Sequence, residues 1–183
     1  MKIAVLALQG AFEEHRQMLE QLGVESVLIR NLNDWQQHFD GLILPGGEST
    51  AMMRVMKDEA LFEPIRDAIK DGLPVFGTCA GMILLDDKHL GCMDITVKRN
   101  AYGRQLGSFC IEHEVNQIGI VPMVFIRAPY IERCGSGVEV LSTLDNHIVA
   151  ARQDHMLACS FHPELTADTR IHKYWLSTIY EKR

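Results

Sequence analysis

The stretch LPVFGTCAG, residues 73–81, decides how this chain folds. Its first half is an apolar run that predicts a buried β-strand, and its second half places Cys79 between Gly77 and Gly81. Small residues on both sides let the backbone turn sharply from strand to helix and leave the cysteine side chain at the tip. The N–H groups and the positive end of that helix favour the thiolate, the form that attacks a carbonyl carbon. We therefore predict that Cys79 is a nucleophile.

The segments around this turn alternate between strand-like and helix-like patterns. The predicted strands are residues 3–8, 24–29 and 41–44, and the predicted helices are residues 12–22 and 61–70. A further helix is predicted to begin at Ser49 or Thr50, either of which would cap it. Alternation of this kind predicts a parallel sheet covered by helices, because parallel strands need a crossover connection.

The pattern changes after residue 85, where the apolar stretches become shorter and are separated by Gly, Pro and polar residues. Residues 95–97, 124–126 and 138–141 are examples. They predict a more antiparallel region. Residues 148–152 and 156–161 indicate a hairpin that returns to the core, and a closing helix is predicted from about residue 169 to residue 180.

Length and composition limit the class of protein. A chain of 183 residues predicts one domain over residues 1–183, because two domains of this total size would each have a small core. Apolar residues make up 47% and charged residues 23%, which argues against both disorder and a membrane span. The formal net charge of -6 argues against a nucleic-acid surface. Small molecules and other proteins are the expected partners.

The cysteines indicate a reducing compartment. There are five, an odd number without a CxxC pair, so free thiols are expected. The apolar N-terminus leads directly into patterned sequence without a small-residue cleavage site, and it is interpreted as the first buried strand. We therefore expect a cytoplasmic protein.

A second motif, SFHPE at residues 160–164, supplies the partners of the cysteine. His162 follows an apolar strand, and Pro163 fixes the backbone after it. Glu164 lies two residues further on, where its carboxylate can face the imidazole. Cys79, His162 and Glu164 therefore predict a catalytic triad, in which the carboxylate orients the ring and the ring moves the proton. No second His or Cys stands at ligand spacing from His162, so no metal site is predicted.

A third motif, PGGEST at residues 45–50, ends the strand at residues 41–44 in two glycines. Two glycines allow the main chain to approach a ligand closely. The N–H of Gly47, together with the N–H of Ala80, would then form an oxyanion hole for developing negative charge. Taken alone, the same loop is compatible with an ordinary turn.

With these motifs the chain resembles the class I, or triad, glutamine amidotransferases over essentially its full length. The general features are the Cys79 turn, the Gly46–Gly47 loop and the His162–Glu164 pair. A narrower set resembles the glutaminase subunits of pyridoxal 5'-phosphate synthases. That set consists of LQG at residues 8–10, GGEST at 46–50, YGRQ at 102–105, SF at 108–109 and FIRAP at 125–129.

The resemblance implies a fold and an activity. The fold would be a three-layer, flavodoxin-like α/β arrangement with a mixed, mostly parallel central sheet flanked by helices. The activity would be hydrolysis of L-glutamine to glutamate and ammonia without a cofactor. The ammonia would pass to a separate lyase subunit, a barrel that builds pyridoxal 5'-phosphate. The glutamine-binding positions implied are Gly47, Glu48, Ser49, Arg104, Ile126 and Arg127.

Three alternatives remain open from the sequence. One is a glutaminase that feeds another synthase, such as those of histidine or guanine nucleotide biosynthesis. Another is a cysteine peptidase or chaperone-like protein on a similar α/β scaffold, since these also carry a cysteine at a strand–helix turn. The last is a catalytically silent interaction subunit.

Overall fold

The computed structural model describes residues 1–99 and 108–182, and a mixed β-sheet forms the framework of this part of the chain. The strands are β1 Lys2–Leu6, β2 Glu25–Ile29, β3 Gly41–Leu44, β4 Val75–Thr78, β5 Ile95–Lys98, β6 Ser108–Val115, β7 Gly119–Ile126, β8 Tyr130–Cys134, β9 Glu139–Leu144, β10 His147–Gln153 and β11 Met156–Cys159. The helices are α1 Phe12–Gln21, α2 Leu32–Trp35, α3 Ser49–Asp58, α4 Phe62–Lys70, α5 Ala80–Leu85 and α6 Arg170–Glu181.

The central sheet has a parallel and an antiparallel part. Strands β2, β1, β3, β4 and β11 are adjacent in this order, and every pairing between them is parallel. Strands β10, β8 and β5 extend the sheet by antiparallel pairing, and β9 pairs with the edge of β10. The predicted mixed sheet flanked by helices is therefore confirmed.

Helices cover both faces of the sheet, which gives three layers. On one face, α3, α4 and α5 bury apolar side chains such as Met52 and Ile65 against β1 and β3. On the other, α1 and α6 pack residues such as Leu19 and Trp175 against the same strands. Strands covered on both faces are expected to be continuous apolar runs, and all four residues of β3 are buried. None of the described helices has the length and hydropathy needed to cross a bilayer.

The register between β4 and β11 brings the two main motifs together. Thr78 lies opposite Cys159 in this parallel pair, and the N–H of Cys79 donates to the carbonyl oxygen of Cys159 at 2.8 Å. Both strands therefore end at the same edge of the sheet. Because the carboxyl ends of adjacent parallel strands border the same crevice, the cysteine turn and the segment that carries His162 are neighbours.

Two strands and one short helix were absent from the sequence predictions. Strands β6 and β7 form a separate antiparallel ribbon, of which only the second half of β7 was predicted. Strand β8 and helix α2 were not predicted either. The helices predicted at residues 12–22, 61–70 and about 169–180 are confirmed as α1, α4 and α6. Helix α1 ends as expected just before Gly23, which has a φ of 68°.

Candidate active site

Cys79 occupies the turn between β4 and α5 in a strained conformation. Its φ is 52° and its ψ is -105°, a region that residues with a side chain rarely adopt. Strain of this kind costs on the order of 1–3 kcal/mol and is concentrated at functional sites. The neighbouring glycines keep negative or extended φ values and serve close packing instead. A Cβ on Gly81 would lie 1.9 Å from the carbonyl oxygen of Leu44, and one on Gly77 would lie 2.6 Å from the carbonyl oxygen of Gly81.

His162 is held at the end of the segment that follows β11. Its N–H donates to the carbonyl oxygen of Val124 on β7 at 2.8 Å, which fixes the backbone next to the ribbon. The imidazole packs on Gly46, where a Cβ would lie only 2.3 Å from Cε1 of the ring. The absence of a side chain at residue 46 therefore creates the space that His162 occupies.

Glu164 faces His162 from a 3₁₀ helix at Pro163–Leu165. Nδ1 of His162 lies 2.6 Å from Oε1 of Glu164, and the carboxylate is buried. Burial by itself lowers the pKa of His162, but its hydrogen bonds with Cys79 and Glu164 outweigh burial and raise the pKa to about 10. The imidazole is therefore positively charged at neutral pH and lies between the sulfur of Cys79 and the carboxylate of Glu164.

A cavity of about 670 Å³ opens in front of Cys79 and His162. Most of the residues named from the sequence line it, while Glu164 lies behind His162 and Arg104 falls outside the described residues. The lining residues that were predicted are Gly47, Glu48, Ser49, Cys79, Ala80, Ile126, Arg127 and His162.

The loop at residues 45–50 is held by the segment after β1. The N–H of Ala11 donates to the carbonyl oxygen of Gly46 at 2.9 Å, and the N–H of Glu48 donates to Oε1 of Gln9 at 2.7 Å. Gly10 has a φ of 90°, and a Cβ there would lie 1.8 Å from the carbonyl oxygen of Gly46. The LQG motif therefore positions the peptides that border the cavity.

The predicted cap of α3 was wrong. The helix begins at Ser49, and its N-cap is Glu48, whose carboxylate accepts the N–H groups of Thr50 and Ala51 at 3.0 and 2.7 Å. These two hydrogen bonds lower the pKa of Glu48. The hydroxyls of Ser49 and Thr50 instead accept from the guanidinium of Arg99, at 2.5 and 3.1 Å.

Arg99 is a site residue that the sequence analysis missed. It lines the cavity at the end of β5, and its Nη2 lies 3.4 Å from Nε2 of His89. Nδ1 of His89 in turn lies 2.6 Å from Oδ1 of the buried Asp86. Because a guanidinium only donates, His89 must accept from Arg99 and donate to Asp86. The only sequence signal was the position of Arg99, directly after a strand and before the YGRQ motif.

The opposite wall of the cavity is the end of β7. Sγ of Cys79 lies 3.9 Å from the carbonyl oxygen of Ile126. The next residue, Arg127, has a φ of 45°, a second strained position at this edge. Within residues 1–99 and 108–182, no group of three or more His, Cys, Asp or Glu side chains has the arrangement of a metal site.

The fold and this arrangement define a class of protein: an α/β sheet that carries a cysteine, a histidine and a glutamate at one crevice. Residues 5–181 match the SNO glutamine amidotransferase family, and the chain belongs to that family. The resemblance seen in the sequence is thereby confirmed.

Relatives of similar sequence and solved structures agree with this assignment. The chain is 57% identical over 192 aligned positions to pyridoxal 5'-phosphate synthase subunit PdxT of Streptococcus pneumoniae, with 100% of both chains covered. It is 42% identical to a glutamine amidotransferase of known crystal structure, with a TM-score of 0.91 and coverage of 97% and 98% of the two chains. A putative GMP synthase protein from Thermoplasma acidophilum shares only the fold, at 18% identity, a TM-score of 0.75 and coverage of 100% and 96%.

Proposed function

We propose that this protein is the glutaminase subunit of a pyridoxal 5'-phosphate synthase and hydrolyses L-glutamine to L-glutamate and ammonia. The observation that carries the proposal is the position of His162, hydrogen-bonded to both Cys79 and Glu164 at the wall of one cavity. The full-length similarity to PdxT supports the choice of synthase.

The reaction begins with the proton of the Cys79 thiol already on His162, which is protonated at neutral pH. The sulfur, as the thiolate, attacks the side-chain carboxamide carbon of glutamine, so that a C–S bond forms and the carbonyl π electrons move to oxygen. The raised pKa of His162 favours this pair of charges. Glu164 stabilises the imidazolium and keeps Nε2 directed at the reacting groups.

Two backbone N–H groups are proposed to bind the resulting oxyanion. That of Ala80 belongs to the first turn of α5, where N–H groups have no partner within the helix. That of Gly47 belongs to the peptide whose carbonyl oxygen accepts from Ala11. Preorganised donors of this type stabilise charge that develops only in the transition state.

The second half of the reaction returns the enzyme to its starting state. His162 gives its proton to the leaving nitrogen, the C–N bond breaks, and ammonia departs from a γ-glutamyl thioester on Cys79. The now neutral His162 takes a proton from water, whose oxygen attacks the thioester carbon. Cleavage of the C–S bond then yields glutamate and leaves the thiolate of Cys79 beside the protonated His162, as at the start.

The ends of the glutamine molecule are matched by charged groups around the cavity. We propose that Glu48 receives the α-ammonium group, because its lowered pKa keeps the carboxylate negative. Either Arg104 or Arg127 would bind the α-carboxylate through a charge-assisted fork. Ser49 and the backbone of Ile126 would complete the glutamine site.

The proposed partner is a lyase subunit that receives the ammonia within a hetero-oligomer. Because the family resemblance implies weak activity alone, we expect the partner to stimulate hydrolysis by setting the Gly46–Gly47 peptide. We place the complex in the cytoplasm, in keeping with five cysteines that are all free.

The test is glutamate release from L-glutamine, measured with and without the candidate synthase subunit. We expect release that increases when the synthase is present. The Cys79→Ala variant should release no glutamate yet support pyridoxal 5'-phosphate synthesis from an added ammonium salt. Cys110→Ala, which changes an exposed cysteine outside the cavity, is the matched control and should behave as the unmodified protein.

Three outcomes would contradict the proposal. Loss of synthesis from the ammonium salt in Cys79→Ala would show that the two subunits do not divide the work as proposed. Peptide release from casein without ammonia release from glutamine would favour a peptidase. If the protein hydrolyses glutamine but the synthase does not stimulate the hydrolysis, the result would indicate a glutaminase of another pathway.

A further inference from the structure

Two fully buried histidines lie behind the triad, on the side of Glu164 that faces away from His162. His15 belongs to α1 and His172 to α6. Nδ1 of His15 lies 2.9 Å from Nε2 of His172. Nε2 of His15 lies 3.1 Å from Oγ1 of Thr78 and 3.5 Å from Oε2 of Glu164. The chain of polar groups that starts at the cavity therefore continues into the core through two helices.

The surroundings keep both of these histidines neutral. Burial lowers the pKa of His15 well below its usual value, and the neighbouring His172 and His162 lower it further. Burial also lowers the pKa of His172 to about 3. The ring of Phe76 lies edge-on to both imidazoles. At neutral pH each ring therefore carries a single N–H, whose position the hydrogen bonds must determine.

One arrangement of the two protons satisfies the neighbouring groups best. If His172 donates its Nε2–H to Nδ1 of His15, then the proton of His15 is on Nε2 and faces Thr78 and Glu164. The reverse arrangement would turn a nitrogen lone pair of His15 toward the carboxylate. It would also leave an N–H on Nδ1 of His172, an atom that is buried and has no partner among the described residues.

The favoured arrangement of the protons also concerns the second oxygen of Glu164. Oε2 is buried and makes no hydrogen bond of good geometry within the described part of the chain. Nε2 of His15 lies 3.5 Å from this oxygen, and the favoured arrangement places a proton on that nitrogen. A buried carboxylate is costly unless polar groups stabilise it. The N–H of His15 supplies that stabilisation from the side opposite His162.

We propose that His15 is a positioning residue of the triad, that it keeps the carboxylate of Glu164 directed at His162, and that His172 fixes the tautomer of His15. The effect on glutamine hydrolysis rests on the proposed function. The effect on the Cys79–His162 pair does not, because the reactivity of the thiol can be measured without a substrate.

The experiment measures the rate at which iodoacetamide alkylates Cys79 from pH 5 to pH 9, read by peptide mass spectrometry. The exposed Cys110 in the same molecule is the internal reference. The titratable groups next to Glu164 are His162, His15 and Cys159, and Cys79 is the titratable group on the other side of His162. Glutamate release in the presence of the synthase gives kcat and KM in parallel.

Three substitutions of His15 separate positioning from packing. His15→Gln can place an amide N–H near the position of Nε2, and His15→Asn can reach His172 but not Glu164. His15→Leu removes both contacts. Leu19→Ala, one turn further along α1 and also fully buried, is the matched control for lost stability.

The proposal predicts that His15→Leu and His15→Asn slow alkylation of Cys79 relative to Cys110 near pH 7 and lower kcat with little change in KM. We expect a loss of about ten- to a hundredfold, the range seen when outer partners of metal-bound histidines are removed. His15→Gln should retain most of both rates. Leu19→Ala should lower the melting temperature while the alkylation profile and kcat of the folded protein stay unchanged.

Other results would overturn the proposal. One is a His15→Leu protein that folds and keeps the unmodified alkylation profile. Another is equal alkylation rates and equal kcat in His15→Gln and His15→Asn, whether both are reduced or both are unchanged. This comparison tests the positioning role even if His15→Leu does not fold. A third result separates the two proposals. If the His15 variants change the alkylation of Cys79 but neither they nor the unmodified protein release glutamate, the proposed function is wrong and the positioning role of His15 is still supported.

Discussion

His162 and the pair formed by His15 and His172 belong to one polar chain, yet their surroundings shift their pKa values in opposite directions. Burial opposes the charged form of all three. At His162, hydrogen bonds with Cys79 and Glu164 outweigh burial and raise the pKa to about 10. At His172 nothing compensates, and the pKa falls to about 3.

The difference shows what controls the charge of a buried imidazole. His162 lies 2.6 Å from a carboxylate oxygen and gains a strong, charge-assisted hydrogen bond. His15 lies 3.5 Å from the other oxygen of the same group and is flanked by two further imidazoles. The carboxylate of Glu164 therefore lies between the cationic His162 on the cavity side and the neutral His15 on the core side. The cation is suited to proton transfer and the neutral donor to orientation.

The largest expected effect comes from neutralising the group between the two regions. Glu164→Gln keeps the size of the side chain but removes the charge, so the pKa of His162 should fall toward those of the buried pair. We expect kcat for glutamate release to drop by about 10⁴, as when the carboxylate of a comparable triad becomes an amide. A variant with unchanged kcat and an unchanged melting temperature would show that the charge of Glu164 is not needed.

A smaller loss of glutaminase activity is expected when the imidazole of His162 is displaced without any change of charge. A Cβ on Gly46 would lie 2.3 Å from Cε1 and 2.8 Å from Nδ1 of the imidazole, so Gly46→Ala must push the ring away. A misplacement of about 1 Å costs on the order of 10² in rate. Gly137→Ala is the control, because a Cβ there meets no atom within 4 Å. Equal glutamate release by both variants would contradict the packing seen here.

The smallest expected effect is on stability in acid. Folding lowers the pKa of His15 well below its usual value and that of His172 to about 3. The unfolded chain therefore binds more protons than the folded one as the pH falls below 6.5. The free energy of unfolding should therefore fall as the pH decreases below 6.5, by up to about 1.4 kcal/mol per pH unit for each histidine.

Urea unfolding at pH 4.5, 5.5 and 6.5 measures this slope. His172→Leu removes one of the two groups and should make the slope shallower by up to about 1.4 kcal/mol per pH unit. His38→Gln, which changes an exposed histidine, is the control and should leave the slope as it was. An unchanged slope in His172→Leu would mean that His172 is not held neutral in the folded protein.

The same contrast describes what the sequence could predict. Cys79, His162 and Glu164 each stand within a few residues of a strand end, so local patterns were sufficient to find them. His15 and His172 are 157 residues apart in the chain, and neither lies in a distinctive motif. The sequence analysis did not place either of them at the site, because contacts between distant helices leave no local signal.

Prediction of the fold from the sequence was limited in a similar way. Four of the five parallel strands, β1, β3, β4 and β11, are largely buried and appear as apolar runs. These strands and the edge strand β2 were all predicted. Strand β6 has only one fully buried residue and carries polar side chains such as Glu112 and His113, so hydrophobic patterning does not mark it. The cap of α3 was mispredicted for a different reason: the hydroxyls of Ser49 and Thr50 bind Arg99, which is distant in sequence, and the adjacent Glu48 caps the helix instead.

The opposite charge states of His162 and of the pair His15 and His172 can be measured directly. The measurement is ¹⁵N NMR of histidine-labelled protein at pH 7, which reports the protonation of each ring nitrogen. Assignment uses the variants His15→Gln and His172→Leu together with His162→Gln. We predict that both ring nitrogens of His162 carry a proton, and that His15 and His172 each carry a single proton, on Nε2. A neutral His162, or a doubly protonated His15 or His172, would contradict it.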